Sequence, residues 1–235
     1  MQLAEAVARL KAAGSPANIA GKARYGIDVR RSFGIAMPDI RSLAKEIGKD
    51  HALAVALWDT GIPDCRLLAP MIAEVARTDE VLLEHWVTGL TSWDVCDGLC
   101  ANLLDLHPRA WAKAVEWSRR EEEFVRRAGY VLMARMPVRD KKAADGKLLA
   151  FLPLIEEGAS DERAMVKKAI SWALRQIGKR DERLRQEAMR CARRLARQGT
   201  PSARWIARDV LRELEDAAQV ERIAVRTSKR RAAGK

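Results

Sequence analysis

The chain has 235 residues, which is enough for one large domain or two small domains with a buried core. Its 43 Lys and Arg against 32 Asp and Glu give a formal net charge of +11, which favours a polyanion, nucleic acid first, as the partner. An anionic membrane surface is the rival partner, but the sequence has no lipidation signal and no apolar run long enough to span a bilayer. Residues 1–14 mix charges of both signs, whereas a secretory signal needs an uninterrupted apolar stretch, so we expect a cytoplasmic protein of the bacterial cytosol and nucleoid.

Apolar residues recur with helical spacing along almost the whole chain, and no stretch shows the sustained alternation of a strand. The predicted helices cover residues 2–13, 16–25, 38–47, 50–58, 64–76, 79–90, 93–106, 109–118, 121–135, 141–155, 162–178, 181–197, 202–214 and 217–225. Proline lacks the amide hydrogen and clashes inside a helix. Five prolines are therefore predicted to mark breaks: Pro38, Pro63, Pro108, Pro137 and Pro201. The expected fold class is all-α.

A short motif recurs in the second half of the chain. V-R-R-A at 125–128 returns as V-K-K-A at 166–169, 41 residues later, and a row of apolar residues follows each copy. Weaker echoes occur at 65–77 and 203–214. A period of about 40 residues with two helices per unit is typical of HEAT-like repeats, which stack into a curved α-solenoid with a concave binding face. Chance likeness between apolar helices is the alternative.

The repeats predict one HEAT-like domain over residues 1–225. Residues 226–235 carry five cations, no acid and almost no large apolar group. This composition predicts a basic, disordered tail that could add nonspecific phosphate contacts.

The cysteines Cys65, Cys96, Cys100 and Cys191 each lie in a helical pattern, so we expect small buried side chains rather than a disulfide framework. Cys96 and Cys100 are one helical turn apart, but no other Cys or His lies at zinc-ligand spacing around them. Zinc sites normally show two paired ligand groups, so no metal site is predicted.

Trp93 and Asp97 lie four residues apart and therefore project from the same face of one helix. An indole in such a position most often packs in the core, and an aspartate is then a surface residue or a cap. Here Asp97 interrupts an apolar face, which would leave its carboxylate partly sheltered. A sheltered carboxylate in a basic groove stays ionised, and it can stabilise a nearby cation or orient a water molecule.

Basic residues occupy matching places in the two copies of the repeated motif: Arg126 and Arg127 in the first, Lys167 and Lys168 in the second, with Lys179 further along. Stacked repeats would align them into a ridge that follows a phosphate backbone. A solvated, solubilising face is the ordinary explanation for any single one of them.

Trp172 interrupts the apolar face of a basic helix, where core packing is again the commoner outcome. Core packing is the interpretation adopted for the remaining tryptophans, which are Trp58, Trp86, Trp111, Trp117 and Trp205. No role in a site is assigned to those five.

Four segments in one order carry a resemblance: ARYGIDVRRSFGIAMPDIRSLAKEI, SWDVCD, FVRRAGY and KKAISWALRQIGK. The chain resembles the AlkD-type DNA alkylation repair family, which are monofunctional DNA glycosylases built from HEAT-like repeats. The likeness runs from about Ala23 to Lys179 and weakens in the last fifty residues. The family usually has a second aromatic residue just before the tryptophan of SWDVCD, where this chain has Ser92.

The resemblance implies a role for each matching residue. Asp97 would be the catalytic carboxylate, and Trp93 and Trp172 would be the aromatic contacts to the damaged nucleotide. Arg127 would hold the DNA backbone beside the lesion, and Tyr25 would lie on the DNA-facing surface.

The implied activity is excision of cationic N3- and N7-alkylated purines from duplex DNA by a monomer that needs no metal and no organic cofactor. Two other functions remain open. One is a non-catalytic repeat protein that binds bent or branched DNA, which the presence of Asp97 and both tryptophans disfavours. The other is a protein-binding helical scaffold, for which the net charge would be incidental.

Overall fold

Helices make up the regular structure of the protein, as the spacing of its apolar residues predicts. The computed structural model describes residues 1–27 and 29–232, and no strand occurs within those ranges. The chain forms two compact units, Met1–His107 and Pro108–Lys235. The single domain expected over residues 1–225 stays a prediction.

The first unit contains seven α-helices along its described residues. They are α1 Leu3–Ala12, α2 Pro16–Arg24, α3 Met37–Ile47, α4 His51–Asp59, α5 Pro63–Ile72, α6 Glu80–Thr88 and α7 Trp93–Asn102, with 3-10 turns at Val75–Arg77 and Leu104–Leu106. Helix α5 ends earlier than predicted because Lys49 and Asp50, which precede α4, donate hydrogen bonds to the carbonyl groups at its C-terminal end. Lys49 Nζ donates to Met71 and Ala73 at 3.0 and 2.8 Å, and the Asp50 amide donates to Ile72 at 2.9 Å.

A buried carboxylate fixes the segment that joins α2 to α3. Asp64, at the start of α5, is fully buried and accepts hydrogen bonds from Lys22 Nζ and Ser32 Oγ, both at 2.8 Å. The Phe33 and Ile35 amides donate to it at 2.7 and 3.3 Å. A buried charge is tolerated where it is paired and hydrogen-bonded, so this cluster ties α2 and the following segment to α5.

In the second unit, helices that are close in the chain pack on each other. They are α8 Ala110–Ser118, α9 Glu123–Arg139, α10 Asp145–Leu149, α11 Leu152–Gly158, α12 Ala164–Gly178, α13 Glu182–Ala196, α14 Pro201–Leu214 and α15 Ala217–Ala232. The pairs α8/α9, α11/α12 and α13/α14 are in contact, and α12 packs on both α9 and α14. The predicted helix over 141–155 is divided into α10 and α11.

The repeated motif supplies equivalent core positions. Val125 in α9 and Val166 in α12 are both buried, as the 41-residue spacing predicts. Gly129 lets α8 and α9 approach closely, because a Cβ at this position would lie 2.3 Å from the Ser118 amide nitrogen. Such an approach is a common reason for glycine within a helix.

The prediction that Pro137 marks a helix break is wrong. Pro137 lies inside α9, which continues to Arg139. Buried contacts outweigh the local cost of the missing amide, because Pro137 is itself buried. Arg180 also caps the end of this helix. Its guanidinium donates to the carbonyls of Pro137 at 2.6 Å and Asp140 at 2.9 Å.

The prediction of a disordered tail over 226–235 is wrong up to Ala232, because α15 includes these residues. Positions 233–235 lie outside the described residues. Specific contacts hold the basic end of α15. Thr227 Oγ1 accepts from the Glu182 amide at 2.9 Å, and Arg230 pairs with Asp145 at 2.9 Å and with Asp181. Within residues 1–27 and 29–232, no helix is both long and apolar enough to cross a lipid bilayer.

Candidate nucleic-acid interface

The first unit brings two of the candidate aromatic residues together. Trp93 is the first residue of α7 and is half-buried, and its Nε1 donates to the Tyr25 carbonyl at 3.0 Å. Tyr25 directly follows α2, and 72% of its surface is exposed. Since Asp64 anchors Lys22 of the same helix, the indole is held against a fixed carbonyl and the Tyr25 ring is left open to solvent.

Asp97 lies one turn after Trp93 on α7 and is half-buried, as its position in the apolar pattern predicts. The residues that flank it on the helix are buried: Val95, Cys96, Leu99 and Cys100. At the start of α7, Ser92 Oγ donates to Asp94 Oδ1 at 2.6 Å. The carboxylate and the indole therefore share one partly sheltered helix face.

Arg127 is not an exposed cation, contrary to the predicted ridge. It is 5% exposed, and its Nη1 donates to the Met165 carbonyl at 2.6 Å, at the beginning of α12. The sequence rule that places single arginines at the surface fails here, because the guanidinium supplies a hydrogen bond that joins two packed helices. Its role in holding DNA stays a prediction.

The other cations of the repeated motif lie nearer the surface. Arg126 pairs with Asp161 at 3.1 Å, and Lys168 is exposed. Lys167 is half-buried, with its Nζ 5.7 Å from the centre of the Trp205 ring. The pKa of Asp161 is lowered, because hydrogen bonds from arginines outweigh the opposing effect of burial, so this acid stays ionised beside the basic residues.

Trp172 lies on α12 and is half-buried, unlike its immediate neighbours Ser171 and Ala173, which are buried. It therefore presents part of its indole to solvent, as a nucleotide contact requires. Arg126, Arg127, Lys167, Lys168 and Trp172 all belong to the second unit, whereas Tyr25, Trp93 and Asp97 belong to the first.

The predicted core role is confirmed for three of the other tryptophans. Trp58, Trp86 and Trp117 are at most 1% exposed, and the first two stack with ring centres 4.7 Å apart. Trp111 and Trp205 are half-buried instead. Trp205, beneath Lys167, is an aromatic residue of the basic surface that the sequence interpretation missed, because a cation over an indole face is a tertiary contact with no sequence signal.

The four cysteines are free and buried, as predicted. Burial raises the pKa of the Cys65 thiol to about 11 and also raises that of Cys191, so both stay protonated and unreactive at neutral pH. Along the described part of the chain, no cluster of three or more His, Cys, Asp or Glu could hold a metal ion.

Comparison with known proteins extends these observations. A solved structure described as "A new family of proteins related to the HEAT-like repeat DNA glycosylases with affinity for branched DNA structures" matches with a TM-score of 0.76 and 19% identity, over 90% of this chain and 95% of that chain. This likeness shows a HEAT-like repeat fold. No match was found among curated protein sequences. The model of a family of DNA alkylation repair enzymes matches residues 6–226, and the chain therefore belongs to the DNA alkylation repair enzyme family.

Proposed function

We propose that this protein is a monofunctional DNA glycosylase that excises positively charged N3- and N7-alkylated purines from duplex DNA. The observation that carries the proposal is the carboxylate of Asp97, half-buried on the same helix face as an indole that the Tyr25 carbonyl holds in place. Membership of the DNA alkylation repair enzyme family and the net charge of +11 support it.

Cleavage of the glycosidic bond of a cationic purine requires little from the protein except stabilisation of charge. An alkylated N3 or N7 leaves the purine positively charged, so the base departs with the bonding electrons as a neutral molecule and needs no general acid. Positive charge develops on the deoxyribose, where a carboxylate and electron-rich indole faces stabilise it. Water then attacks C1′ and loses a proton, which leaves an abasic site. Asp97, Trp93 and Trp172 are the residues to which we assign this role.

The proposed partner is duplex DNA carrying alkylated bases, bound by a monomer in the bacterial cytoplasm without a cofactor. Exposed Lys168 and half-buried Lys167 and Arg126 are the cations to which we assign contacts with phosphates. Tyr25 adds an open aromatic ring beside Trp93.

Release of free methylpurines from methylated duplex DNA by the pure protein tests the activity. Asp97→Asn removes the charge with little change in shape, so excision under single-turnover conditions should fall by about a hundredfold or more while affinity for DNA is kept. Asp94→Asn is the matched control on the same helix and should stay within about threefold of wild type, since its carboxylate serves Ser92. Wild-type excision by Asp97→Asn would refute the assignment.

Trp172→Ala separates a substrate contact from a core residue. Loss of excision with an unchanged Tm supports contact with the nucleotide, because a half-buried ring contributes less packing than a core ring. A collapsed thermal transition would instead assign the ring to the core.

A second candidate function is non-catalytic binding of branched DNA, which the description of the structural neighbour favours. Under this function the protein would bind junction DNA more tightly than linear duplex and would release no methylpurine. A protein-binding scaffold would show neither property, and its complexes with DNA would lack the steep salt dependence that phosphate contacts produce.

A further inference from the structure

A basic cavity lies in the second unit. It has a volume of about 790 Å³ and is bounded by the C-terminal ends of α9 and α12 and by α15. Seven of its eleven lining residues are Lys or Arg, and none of those in the described part of the chain is acidic. Two of the seven are ion-paired, Lys179 with Glu213 and Arg230 with Asp145 and Asp181, and an anionic occupant would relieve the repulsion among the others.

Part of the wall is held rigidly by its own hydrogen bonds. Arg180 is 8% exposed and donates only to backbone carbonyls in the bonds found, four of them between residues 137 and 143. Its positive charge is therefore not cancelled by these neutral acceptors. Burial and the charge of Arg230 lower the pKa of Arg180, whereas nearby Asp145 and Asp140 raise it.

Two polar atoms of lining residues have no hydrogen-bond partner within residues 1–27 and 29–232. They are Nε2 of Gln219, a residue only 8% exposed, and Nε of Arg230, whose terminal nitrogens pair with Asp145 and Asp181. Both atoms are N–H donors, and buried donors are normally satisfied. Both atoms are shut off from solvent, so they lie within the wall and not on the surface that a ligand would meet.

Further cations line the cavity from one side of α15. Arg222, Arg226 and Lys229 follow each other at intervals of four and three residues, so they share one helix face over about 10 Å. All three are exposed, and Arg226 also donates to the Lys179 carbonyl at 2.8 Å. A row of cations of this length matches a ligand that carries several negative charges.

We propose that this cavity is a binding site for phosphate groups of a polyanion, held by the exposed cations of α15. Several phosphates fit better than one carboxylate, because each phosphate offers oxygen atoms on several sides to separate Arg and Lys donors. The phosphates can come from a DNA backbone or from a free polyphosphate. The site does not depend on excision by Asp97.

Binding of inorganic tripolyphosphate and of a 20-base-pair unmodified duplex is measured by titration calorimetry and fluorescence anisotropy at two salt concentrations. The test variant is Arg222→Glu with Lys229→Glu, which reverses two exposed charges. The control, Arg197→Glu with Arg208→Glu, makes the same change of net charge at exposed positions on other parts of the second unit. We expect the test variant to weaken tripolyphosphate binding by about tenfold or more and the control to stay within about threefold.

The rise in Tm caused by tripolyphosphate gives a second measure of binding. It should shrink in the test variant and stay near the wild-type value in the control. Competition between duplex and tripolyphosphate identifies a DNA backbone as the occupant, and tripolyphosphate binding without competition identifies a free polyphosphate.

Equal tripolyphosphate affinity for wild type and both reversed variants would overturn the proposal, as would a failure of the wild type to bind the probe. Methylpurine release is assayed on the same preparations. Absence of release from wild type that still binds tripolyphosphate would refute the proposed glycosylase and leave the cavity assignment standing.

Discussion

The buried carboxylate of Asp64 offers the sharpest test of what holds the first unit together. Asp64→Asn keeps the shape but removes the charge that pairs with Lys22, and it directs an amide toward the donors Ser32 and Phe33. Removing one partner of a buried ion pair costs about 3–5 kcal/mol. The Lys22 side chain keeps 17% exposure and regains some hydration, so we expect about 3 kcal/mol, at the lower end.

Urea unfolding of the full chain, followed by the fluorescence of its buried tryptophans, measures the change in the free energy of unfolding. Asp59→Asn is the control, because its carboxylate pairs with His85 while 52% exposed and should change stability by at most about 1 kcal/mol. If Asp64→Asn proved no more costly than the control, the argument for a buried anchor would be wrong. Adding Lys22→Met to Asp64→Asn should recover part of the loss, since it removes the uncompensated charge.

The same substitution links stability to the candidate site. Lys22 and Tyr25 belong to one helical segment, and the Tyr25 carbonyl holds the Trp93 indole. We expect Asp64→Asn to change the tryptophan fluorescence spectrum of the native protein through the surroundings of Trp93. A spectrum identical to that of wild type would show that α2 keeps its place without the anchor.

Three further predictions concern the second unit. Arg127→Ala should lower stability by about 1.5–3 kcal/mol, because it removes the hydrogen bond of a charged group that joins α9 to α12. An unchanged Tm with weaker DNA binding would favour direct contact with the DNA backbone instead. Gly129→Ala should lower the free energy of unfolding by about 1–3 kcal/mol, because the added Cβ collides with the Ser118 backbone. Gly146→Ala places its Cβ in open space and should be neutral or stabilising. Equal effects of the two substitutions in urea unfolding would contradict this prediction. Because the folded-state pKa of Asp161 lies below the ordinary value of 3.8, its stabilising effect is present above that pH and should disappear as pH falls through the lowered pKa. Asp161→Asn should remove this part of the pH dependence of stability. A variant whose stability falls with pH as it does in wild type would contradict the prediction.

The helical architecture is readable from the sequence because burial follows apolar spacing directly. The repeated V-R-R-A and V-K-K-A motifs identify two equivalent buried valines and the two helices that pack on each other. The errors arise where a distant residue decides the outcome. Arg180 caps the end of α9 beyond Pro137, and Thr227 meets the start of α13, so local rules on proline and on basic tails both fail.

The candidate site was predictable to the extent that it depends on position along one helix. The half-buried state of Asp97 follows from its place in an apolar face, and that of Trp172 from a break in another. The burial of Arg127 and the indole beneath Lys167 could not be predicted, because each depends on a partner in another helix. Sequence spacing orders residues on one helix and is silent about the neighbouring helix.

The four carbonyls gathered by Arg180 also restrict how the chain can vary in length. The acceptors at Pro137, Asp140, Lys141 and Ala143 all meet one guanidinium, so an inserted or deleted residue between them would pull acceptors out of reach. At the Gly199 turn, Arg204 donates to the Gly199 carbonyl, and a Cβ added at Gly199 would meet open space. Natural length variation in the second unit should therefore collect near Gly199 and avoid the connection that follows α9.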